Sequence, residues 1–370
     1  MTVLDLFCGA GGLSVGFEKA GFDVIGVDFN ETSLKTWELN HSGQCFRYDL
    51  SEIEPSNVFT EYNIKGVVGG PPCQGFSDAR GSRDVSDKRN SLVYKFKEFI
   101  EYHSPNFFLM ENVTGIKTID NGDFFRSLID DYEKLGYNVN HRIIDMSNYG
   151  VPQKRERVIV VGMKEEVFTF PQALDKTPTV EEALDGIECE QYEECDLKNV
   201  QYISPGQVYR SNRKGERYVP VWQFYPDEFN TVEKECLKNV RDGRDGLCDV
   251  DVVTSLIERG WLQENEDGYK FTTKSGTYPH YNRIPLKSQS PTILTSDHSS
   301  REKLHPKYDR SLSVKEAAAL QSFPEDYEFF GSKQEKWKQI ANAVPPLFSK
   351  IISKKIDKTL NDEDNGVFSF

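Results

Sequence analysis

The stretch Asp5-Leu6-Phe7-Cys8-Gly9-Ala10-Gly11-Gly12-Leu13 joins a short apolar run to a glycine-rich turn, and this order decides the fold. Residues 3–7 are typical of a buried strand, and residues 13–20 repeat apolar side chains at helical spacing. Glycines let the backbone turn tightly and approach a ligand closely. The stretch therefore predicts a strand, a turn and a helix. A tight turn that binds nothing fits it as well, because the full GxGxxG dinucleotide fingerprint is absent.

Short apolar runs and helix-like segments continue to alternate over the first 165 residues. Further runs typical of buried strands lie at residues 22–27, 67–68, 107–110 and 158–161. Apolar residues recur at helical spacing at Leu92, Phe96 and Phe99, and again at Phe125, Leu128, Ile129 and Tyr132. Strands that alternate with helices favour an α/β fold, a doubly wound and mostly parallel sheet with helices on both faces.

The pattern changes near residue 170. Residues 170–290 are polar, rich in turn residues and without a clear period, which indicates a second, smaller and irregular domain. We expect the first domain to comprise residues 1–165 plus 325–360, and the second to comprise residues 166–324. A chain of this length suits about two domains, at ~150 residues for each.

A regular pattern returns near the C-terminus. Ser313 and Glu316 have the spacing of a capping box, which predicts the start of a helix. A final amphipathic helix is predicted from the spacing of Leu347, Ile351 and Ile356.

The composition excludes several classes of protein. No run approaches the ~18 consecutive apolar residues of a membrane span, and the N-terminus lacks the features of a signal peptide, so we expect a cytoplasmic protein. The seven cysteines include no CxxC pair, so neither a disulfide scaffold nor a zinc site is expected, and no metal is predicted. The net charge of −14 argues mildly against a nucleic-acid partner, although Lys and Arg cluster locally.

A carboxylate follows the second predicted strand. Asp28 lies nineteen positions after Gly9, where it could accept hydrogen bonds from a ribose diol, and Phe29 beside it could stack on an adenine ring. These residues favour a nucleoside cofactor.

Three further clusters carry reactive or charged groups. Cys73 lies in the stretch GGPPCQGFS, where prolines and glycines present a cysteine suited to a nucleophile. Glu111 ends an apolar run, and a protonated carboxyl group there could donate to a ring nitrogen while accepting from an amine. Arg155 and Arg157 alternate, so both could enter one site and bind a carbonyl oxygen, a carboxylate or a phosphate. Each cluster alone also fits an ordinary structural role.

Together, six blocks carry a family resemblance. They are DLFCGAGG from Asp5, GGPPCQGFS from Gly69, ENV from Glu111, QKRER from Gln153, RSLSVKEAAALQSFP from Arg310 and QIANAVPP from Gln339. In this order and spacing the chain resembles DNA (cytosine-5) methyltransferases of the restriction–modification type. The resemblance spans nearly the whole chain except the variable stretch near 170–290. It implies the Rossmann-like fold of methyltransferases that use S-adenosylmethionine, with a smaller target-recognition domain.

The resemblance implies a set of cofactor-binding positions. S-Adenosylmethionine would be bound by Phe7, Gly9, Gly11, Asp28, Phe29, Asp49, Leu50, Pro72, Asn342 and Val344. Asp28 would bind the ribose, although the family usually has Glu there, and Asp49 would meet the adenine amine.

The resemblance also implies catalytic and DNA-binding positions. Cys73 would attack C6 of a flipped-out cytosine, Glu111 would bind N3 and the exocyclic amine, Arg157 would bind the O2 side, and Arg155 would be catalytic with it. DNA would be bound by Gln74, Ser77, Arg80, Arg83, Arg89, Arg210 and Arg213.

The implied partners are double-stranded DNA and a cognate restriction endonuclease that acts on the same site, with the enzyme itself a monomer. Two alternatives stay open. A tRNA cytosine-5 methyltransferase would share the scaffold, but the loop reads PPCQGFS rather than the variant typical of that branch. A catalytically inactive DNA-binding homologue is opposed by intact Cys73, Glu111, Arg155 and Arg157.

Overall fold

A computed structural model describes nine segments of the chain. These are residues 1–72, 91–187, 230–241, 247–259, 262–265, 268–271, 282–295, 303–307 and 311–361. The chain divides into two compact units, Met1–Pro178 with Ala317–Phe370, and Thr179–Glu316. The assignment of residues 1–165 plus 325–360 and of residues 166–324 to catalysis and target recognition stays a prediction.

The predicted strands and helices of the first domain occur in the predicted order, and the structure adds a helix at Glu31–Asn40 and strands at Gln44–Arg47 and Asn138–Asp145 that were not predicted. The strands are β1 (Thr2–Leu6), β2 (Asp23–Asp28), β3 (Gln44–Arg47), β4 (Ile64–Gly69), β5 (Phe107–Asn112), β6 (Asn138–Asp145), β7 (Glu156–Met163), β8 (Leu262–Asn265), β9 (Gly268–Phe271), β10 (Asn282–Arg283) and β11 (Lys303–Leu304). The helices are α1 (Gly12–Lys19), α2 (Glu31–Asn40), α3 (Ser91–His103), α4 (Asp123–Lys134), α5 (Val180–Leu184), α6 (Thr231–Arg241), α7 (Val250–Glu258), α8 (Val314–Leu320), α9 (Lys333–Asn342) and α10 (Pro346–Asn361).

Seven strands form one sheet in the first unit, in the order β3-β2-β1-β4-β5-β7-β6. All pairs from β3 to β5 are parallel, whereas β7 runs antiparallel to both β5 and β6. The predicted α/β class and mostly parallel sheet are therefore confirmed. In such a sheet the carboxyl ends of the parallel strands meet at one edge, where ligands bind.

Helices cover both faces of this sheet because its central strands are apolar on both sides. Along β5, Phe108 and Met110 pack in one core cluster, whereas Phe107 and Leu109 pack in the other. This alternation is the period of two that a strand imposes. Each fully buried side chain of this size contributes about 1.5–3 kcal/mol, so β5 is anchored from both faces.

The C-terminal helix α10 packs directly on α1. A Cβ on Gly16 would lie 2.1 Å from the Ser349 hydroxyl oxygen, so only glycine permits this contact. The Ser349 hydroxyl donates to the Leu13 carbonyl, and the Ser353 hydroxyl donates to the Gly16 carbonyl at 2.8 Å. The predicted C-terminal helix is confirmed, and it holds the helix that follows the glycine-rich turn.

The second unit contains more regular structure than the sequence analysis predicts. Its helices α6 and α7 bury Leu237, Val253 and Leu256 in a small cluster with Leu262. β8 and β9 pair as an antiparallel hairpin. Next to α8, Ser313 and Glu316 make both hydrogen bonds of the predicted capping box, at 2.8 and 3.1 Å.

Candidate active site

The glycine-rich turn after β1 is built from left-handed backbone conformations. Phe7, Gly9 and Gly11 have φ values of 61°, 54° and 83°. A Cβ on Gly9 would meet nothing within 4 Å, whereas one on Gly11 would lie 2.1 Å from His41 Nε2 and one on Gly12 would lie 2.3 Å from the Val344 carbonyl oxygen. Gly11 and Gly12 are therefore required for internal packing, and the turn is open at Gly9.

Asp28 ends β2 beside this turn. Its Oδ2 accepts from the Gly9 N–H at 2.9 Å, and its Oδ1 accepts from the Asn30 N–H at 2.8 Å. Burial raises the pKa of Asp28, and the two backbone donors oppose that shift. Each carboxylate oxygen keeps a second lone pair, so the group can still accept a hydroxyl donor.

Phe29 presents its ring to solvent next to Asp28. The side chain is 65% exposed, which is unusual for a residue of this size. Arg47 fixes the backbone of Phe29 by donating from Nε to its carbonyl oxygen at 3.2 Å. The ring is thus an exposed apolar surface available for stacking.

Asp49 follows the neighbouring strand β3. The Tyr48 N–H donates to the Asp28 carbonyl at 3.1 Å, so Asp49 lies near Asp28 and Phe29. The Asp49 carboxylate is exposed, and its Oδ1 accepts from the Ser51 N–H at 3.0 Å and from the Ser51 hydroxyl at 2.7 Å. The Leu50 side chain is buried in the core, so contact with a ligand there falls to its backbone.

The segment between α9 and α10 touches the glycine-rich turn. Asn342 is exposed and Val344 is buried. The Val344 carbonyl oxygen lies against Gly12. The structure therefore brings these two predicted positions, distant in sequence, to the edge that carries Gly9 and Asp28.

A nucleoside fits this set of residues. Asp28 offers a carboxylate for a diol, Phe29 offers a ring face, and Asp49 offers an exposed acceptor for an amine. Gly9 leaves backbone open where a side chain would otherwise stand.

Glu111 and Arg157 form an ion pair on adjacent strands. Glu111 ends β5 and is 8% exposed, and its Oε1 lies 2.9 Å from Arg157 Nε. A Cβ on Gly70 would lie 3.1 Å from Glu111 Oε2. The carboxyl group therefore lies against the segment that leaves β4 and leads to Cys73.

Asn112, at the end of β5, connects this strand to the segment that leaves β4. Its Nδ2 donates to the Pro71 carbonyl at 3.0 Å, and its Oδ1 accepts from the Val113 N–H at 2.9 Å. Pro72 follows and is half-buried. Asn112 thus fixes the backbone immediately before Cys73, a role that the sequence analysis did not assign.

Several predicted residues lie outside the described residues. They are Cys73, Gln74, Ser77, Arg80, Arg83, Arg89, Arg210 and Arg213.

Arg155 is buried beside the ion pair. It is 2% exposed, and within the described part of the chain its Nε and Nη1 have no hydrogen-bond partner. Burial, and to a smaller extent the charge of Arg157, lowers the pKa of Arg155 to about 9, and Glu111 opposes the shift. Arg155 is still cationic at neutral pH, so two guanidinium groups and one carboxyl group lie close enough to interact.

Two buried glutamines connect this site to the cofactor edge, and the sequence analysis missed them. Gln153 Nε2 donates to Gln321 Oε1 at 2.6 Å, and Gln321 Nε2 donates to the Ala343 carbonyl at 2.6 Å. Both glutamines are fully buried. The pair ties the segment before Arg155 to the segment before Val344.

The described residues hold no group of three or more His, Cys, Asp or Glu side chains able to bind a metal. No described helix combines the length and the apolar character that crossing a membrane requires.

Comparison with known proteins places this geometry in context. The family model for C-5 cytosine-specific DNA methylases matches residues 1–358. The Type II methyltransferase M.FnuDI of Fusobacterium nucleatum is 30% identical over 372 residues, covering 98% of this chain and 96% of that protein. The Type II methyltransferase M.MthTI of Methanothermobacter thermautotrophicus is 29% identical over 372 residues, covering 97% and 98%.

Solved structures show the same fold. A prophage-encoded DNA modification methyltransferase of E. coli superposes with a TM-score of 0.64 at 25% identity, covering 98% of this chain and 99% of that one. The S. pombe Dnmt2 methyltransferase superposes with a TM-score of 0.56, covering 99% of both chains, and at 16% identity it shows the fold alone.

Proposed function

Because the chain belongs to the C-5 cytosine-specific DNA methylase family, it is a DNA (cytosine-5-)-methyltransferase, and we propose the residues that perform the transfer. Cys73 is the nucleophile, Glu111 and Arg157 bind the cytosine ring with Arg155 behind them, and S-adenosylmethionine is the cofactor. The observation that carries this proposal is the ion pair between Glu111 and Arg157, 2.9 Å apart, beside the segment that leads to Cys73.

The chemistry requires this group of side chains. C5 of cytosine is a poor nucleophile, and a bond from the Cys73 thiolate to C6 makes C5 enamine-like. Glu111 stabilises the charge that develops on the ring by binding N3 and the exocyclic amine, and Arg157 binds the O2 side. C5 then takes the methyl group, and the electrons of the broken bond stay on the sulfur of the methyl donor. C5 releases its proton to water, and the bond between C6 and the Cys73 sulfur breaks to regenerate the thiolate.

The cofactor would be held at the edge formed by β1, β2 and β3. When bound, S-adenosylmethionine supplies an electrophilic methyl group. Asp28 would bind the ribose diol, Phe29 would stack on the adenine, and Asp49 would accept from the adenine amine. Phe7, Gly9, Gly11, Leu50, Pro72, Asn342 and Val344 would complete the site. The open backbone at Gly9 and the 65% exposed ring of Phe29 support this placement.

The DNA partner imposes a further step. C6 is out of reach inside a duplex, so the target cytosine must flip out of the stack. We place Gln74, Ser77, Arg80, Arg83 and Arg89 on the DNA backbone near the flipped base, since phosphates attract such side chains. Arg210 and Arg213 would act in target recognition within residues 166–324, with catalysis in residues 1–165 plus 325–360.

The biological setting that fits best is restriction and modification. The relatives M.FnuDI and M.MthTI are named Type II methyltransferases. We therefore propose that the chain acts as a cytoplasmic monomer that protects the site of a cognate restriction endonuclease.

One assay separates this function from its alternatives. Purified protein is incubated with S-adenosylmethionine carrying a tritiated methyl group and with duplex DNA, tRNA or neither. Label in DNA alone supports the proposal, label in tRNA alone supports the tRNA enzyme, and no label supports an inactive DNA-binding protein. Glu111→Gln removes the carboxyl group that would bind N3 and should lower the rate about 100-fold or more. The exposed neighbour Glu156→Gln is the matched control.

A further inference from the structure

A chain of three polar side chains, with a buried His41 between half-buried Glu18 and Tyr327, ends on the glycine-rich turn. His41 Nδ1 lies 2.8 Å from Glu18 Oε2, and His41 Nε2 lies 2.9 Å from the Tyr327 hydroxyl oxygen. The Tyr327 hydroxyl donates to the carbonyl oxygen of Ala10. The His41 side chain is 0% exposed. The proposed chemistry uses none of these three residues.

Counting protons along the chain fixes the state of His41. The Ala10 carbonyl can only accept, so the single Tyr327 proton points to Ala10. The Tyr327 oxygen must then accept from His41 Nε2. The Glu18 carboxylate also accepts, so His41 Nδ1 carries a proton as well. With Glu18 ionised, both ring nitrogens carry a proton, and His41 is an imidazolium paired with Glu18.

The surroundings are consistent with a fixed cation. The Trp37 ring stacks on His41 with centroids 4.4 Å apart, and Trp37 Nε1 donates to the Ser14 hydroxyl at 3.0 Å. The other titratable groups near the Tyr327 hydroxyl are Asp5 and Cys8. Burial raises the pKa of Tyr327 well above its usual value, and Cys8, Glu18 and Asp5 raise it further, so the hydroxyl keeps its proton.

The acceptor at the end of this chain lies within the turn that the proposed cofactor needs. Ala10 stands between Gly9, which is open, and Gly11, which packs on His41. A donor fixed on the Ala10 carbonyl therefore sets the orientation of the peptide between the two glycines.

We propose that Tyr327 is a positioning residue for the cofactor turn, and that it orients the Ala10 carbonyl only while His41 is an imidazolium. This inference rests on the proposed function, since it assumes that the turn binds S-adenosylmethionine. When His41 loses its Nε2 proton, that nitrogen becomes an acceptor and competes with Ala10 for the Tyr327 proton.

Two tyrosine-to-phenylalanine variants distinguish a role in positioning the cofactor turn from a role in protein stability alone. Tyr327→Phe removes the donor to Ala10. Tyr137→Phe is the matched control, because the Tyr137 hydroxyl also donates to a backbone carbonyl, that of Pro105, at 2.8 Å. Both variants should lower the melting temperature. Binding of S-adenosylhomocysteine, measured by calorimetry, should weaken about fivefold to tenfold in Tyr327→Phe only, the size of one lost hydrogen bond.

The protonation state of His41 can be measured directly by NMR. In protein labelled with ¹⁵N-histidine, the ring nitrogens of His41 should both show imidazolium shifts at neutral pH, with assignment by loss of the signals in His41→Gln. Glu18→Gln removes the carboxylate that accepts from His41 Nδ1, so the ring of His41 should lose its imidazolium signals at neutral pH and the affinity for S-adenosylhomocysteine should fall. This variant also carries the test if Tyr327→Phe does not fold.

The outcomes distinguish this inference from the proposed function. Wild-type protein that binds no S-adenosylhomocysteine contradicts the cofactor assignment and this inference together. If wild type binds S-adenosylhomocysteine, and Tyr327→Phe and Tyr137→Phe bind it with equal affinity, the positioning role of Tyr327 is overturned while the cofactor assignment stands. A neutral His41 ring at neutral pH overturns the proton count.

Discussion

Asn112 donates a hydrogen bond from Nδ2 to the carbonyl oxygen of Pro71, over 3.0 Å and between two adjacent parallel strands. Its neighbour Glu111 is paired with Arg157. The contact therefore fixes the backbone before Cys73 relative to the carboxyl group that would bind the same base. Catalysis in this scheme depends on the distance between two strand ends, and Asn112 sets it.

Asn112→Ala should lower kcat by about 100-fold, because a small displacement of a reacting group costs about that much. Affinity for S-adenosylhomocysteine should be unchanged. Asn140→Ala is the control, since Asn140 Nδ2 also donates across 3.0 Å to a backbone carbonyl, that of Phe168, away from the site. Equal kcat in the two variants would show that Asn112 only stabilises the fold.

Phe29→Ala should weaken cofactor binding by about tenfold or more, because stacking on an aromatic ring contributes ~1–3 kcal/mol. The melting temperature should barely change, since the ring is 65% exposed. Phe330→Ala, which removes another exposed ring, 46% exposed, is the control. Calorimetric titration with S-adenosylhomocysteine measures both, and unchanged affinity in Phe29→Ala would remove Phe29 from the site.

Asp5 should make stability depend on pH. Burial raises its pKa from 3.8 to about 7, although the Ser14 hydroxyl donates to it. Between these values the folded chain keeps a proton that the unfolded chain has lost, so stability falls as the pH rises, and the loss is complete above about pH 7. Asp5→Asn keeps an acceptor for Ser14 and cannot ionise.

The free energy of unfolding of Asp5→Asn, relative to wild type, should therefore increase between pH 5 and pH 8, by at most about 3 kcal/mol. Urea unfolding at several pH values measures it. Asp23→Asn, at an exposed position on β2, should give no such trend. A flat difference for Asp5→Asn would mean that Asp5 stays ionised in the folded chain.

Gln153 and Gln321 should behave as a coupled pair. Each single change to Ala leaves a buried amide unsatisfied, which costs about 1–3 kcal/mol of stability. The double variant should lose less than the sum of the two single variants, because the shared hydrogen bond is removed only once. Chemical unfolding of wild type, the two single variants and the double variant completes this double-mutant cycle. If the losses of unfolding free energy simply add, the two glutamines are not coupled.

The sheet was predictable because its signals are local. The runs around Val3, Phe107 and Val158 are apolar and lie between clear turn residues. By contrast, β3 has four residues and β6 is an edge strand that mixes Asn, His and Arg with apolar residues. Strands of these kinds lack the apolar alternation on which the prediction depends.

The candidate site was predictable where a residue's type states its chemistry. Asp28, Glu111 and Arg157 are charged residues at strand ends, and the structure brings each to the expected edge of the sheet. Gln321 and Tyr327 escaped notice because neither residue type indicates a partner. Their hydrogen bonds reach Gln153 and Ala10, which lie 168 and 317 positions away in the sequence. Such pairings are fixed by tertiary packing alone.

The central claim is that Cys73 bonds to C6 of the target cytosine. The site is first located by sequencing the methylated cytosines in DNA from an expressing host, and 5-fluorocytosine is then placed at that position in a duplex. Fluorine at C5 blocks the final elimination, so the bond persists. With S-adenosylmethionine present, mass spectrometry should detect a covalent complex for wild type and none for Cys73→Ser. A covalent complex that persists in Cys73→Ser, or wild-type protein that methylates the normal duplex but forms none with the fluorinated one, would contradict the account.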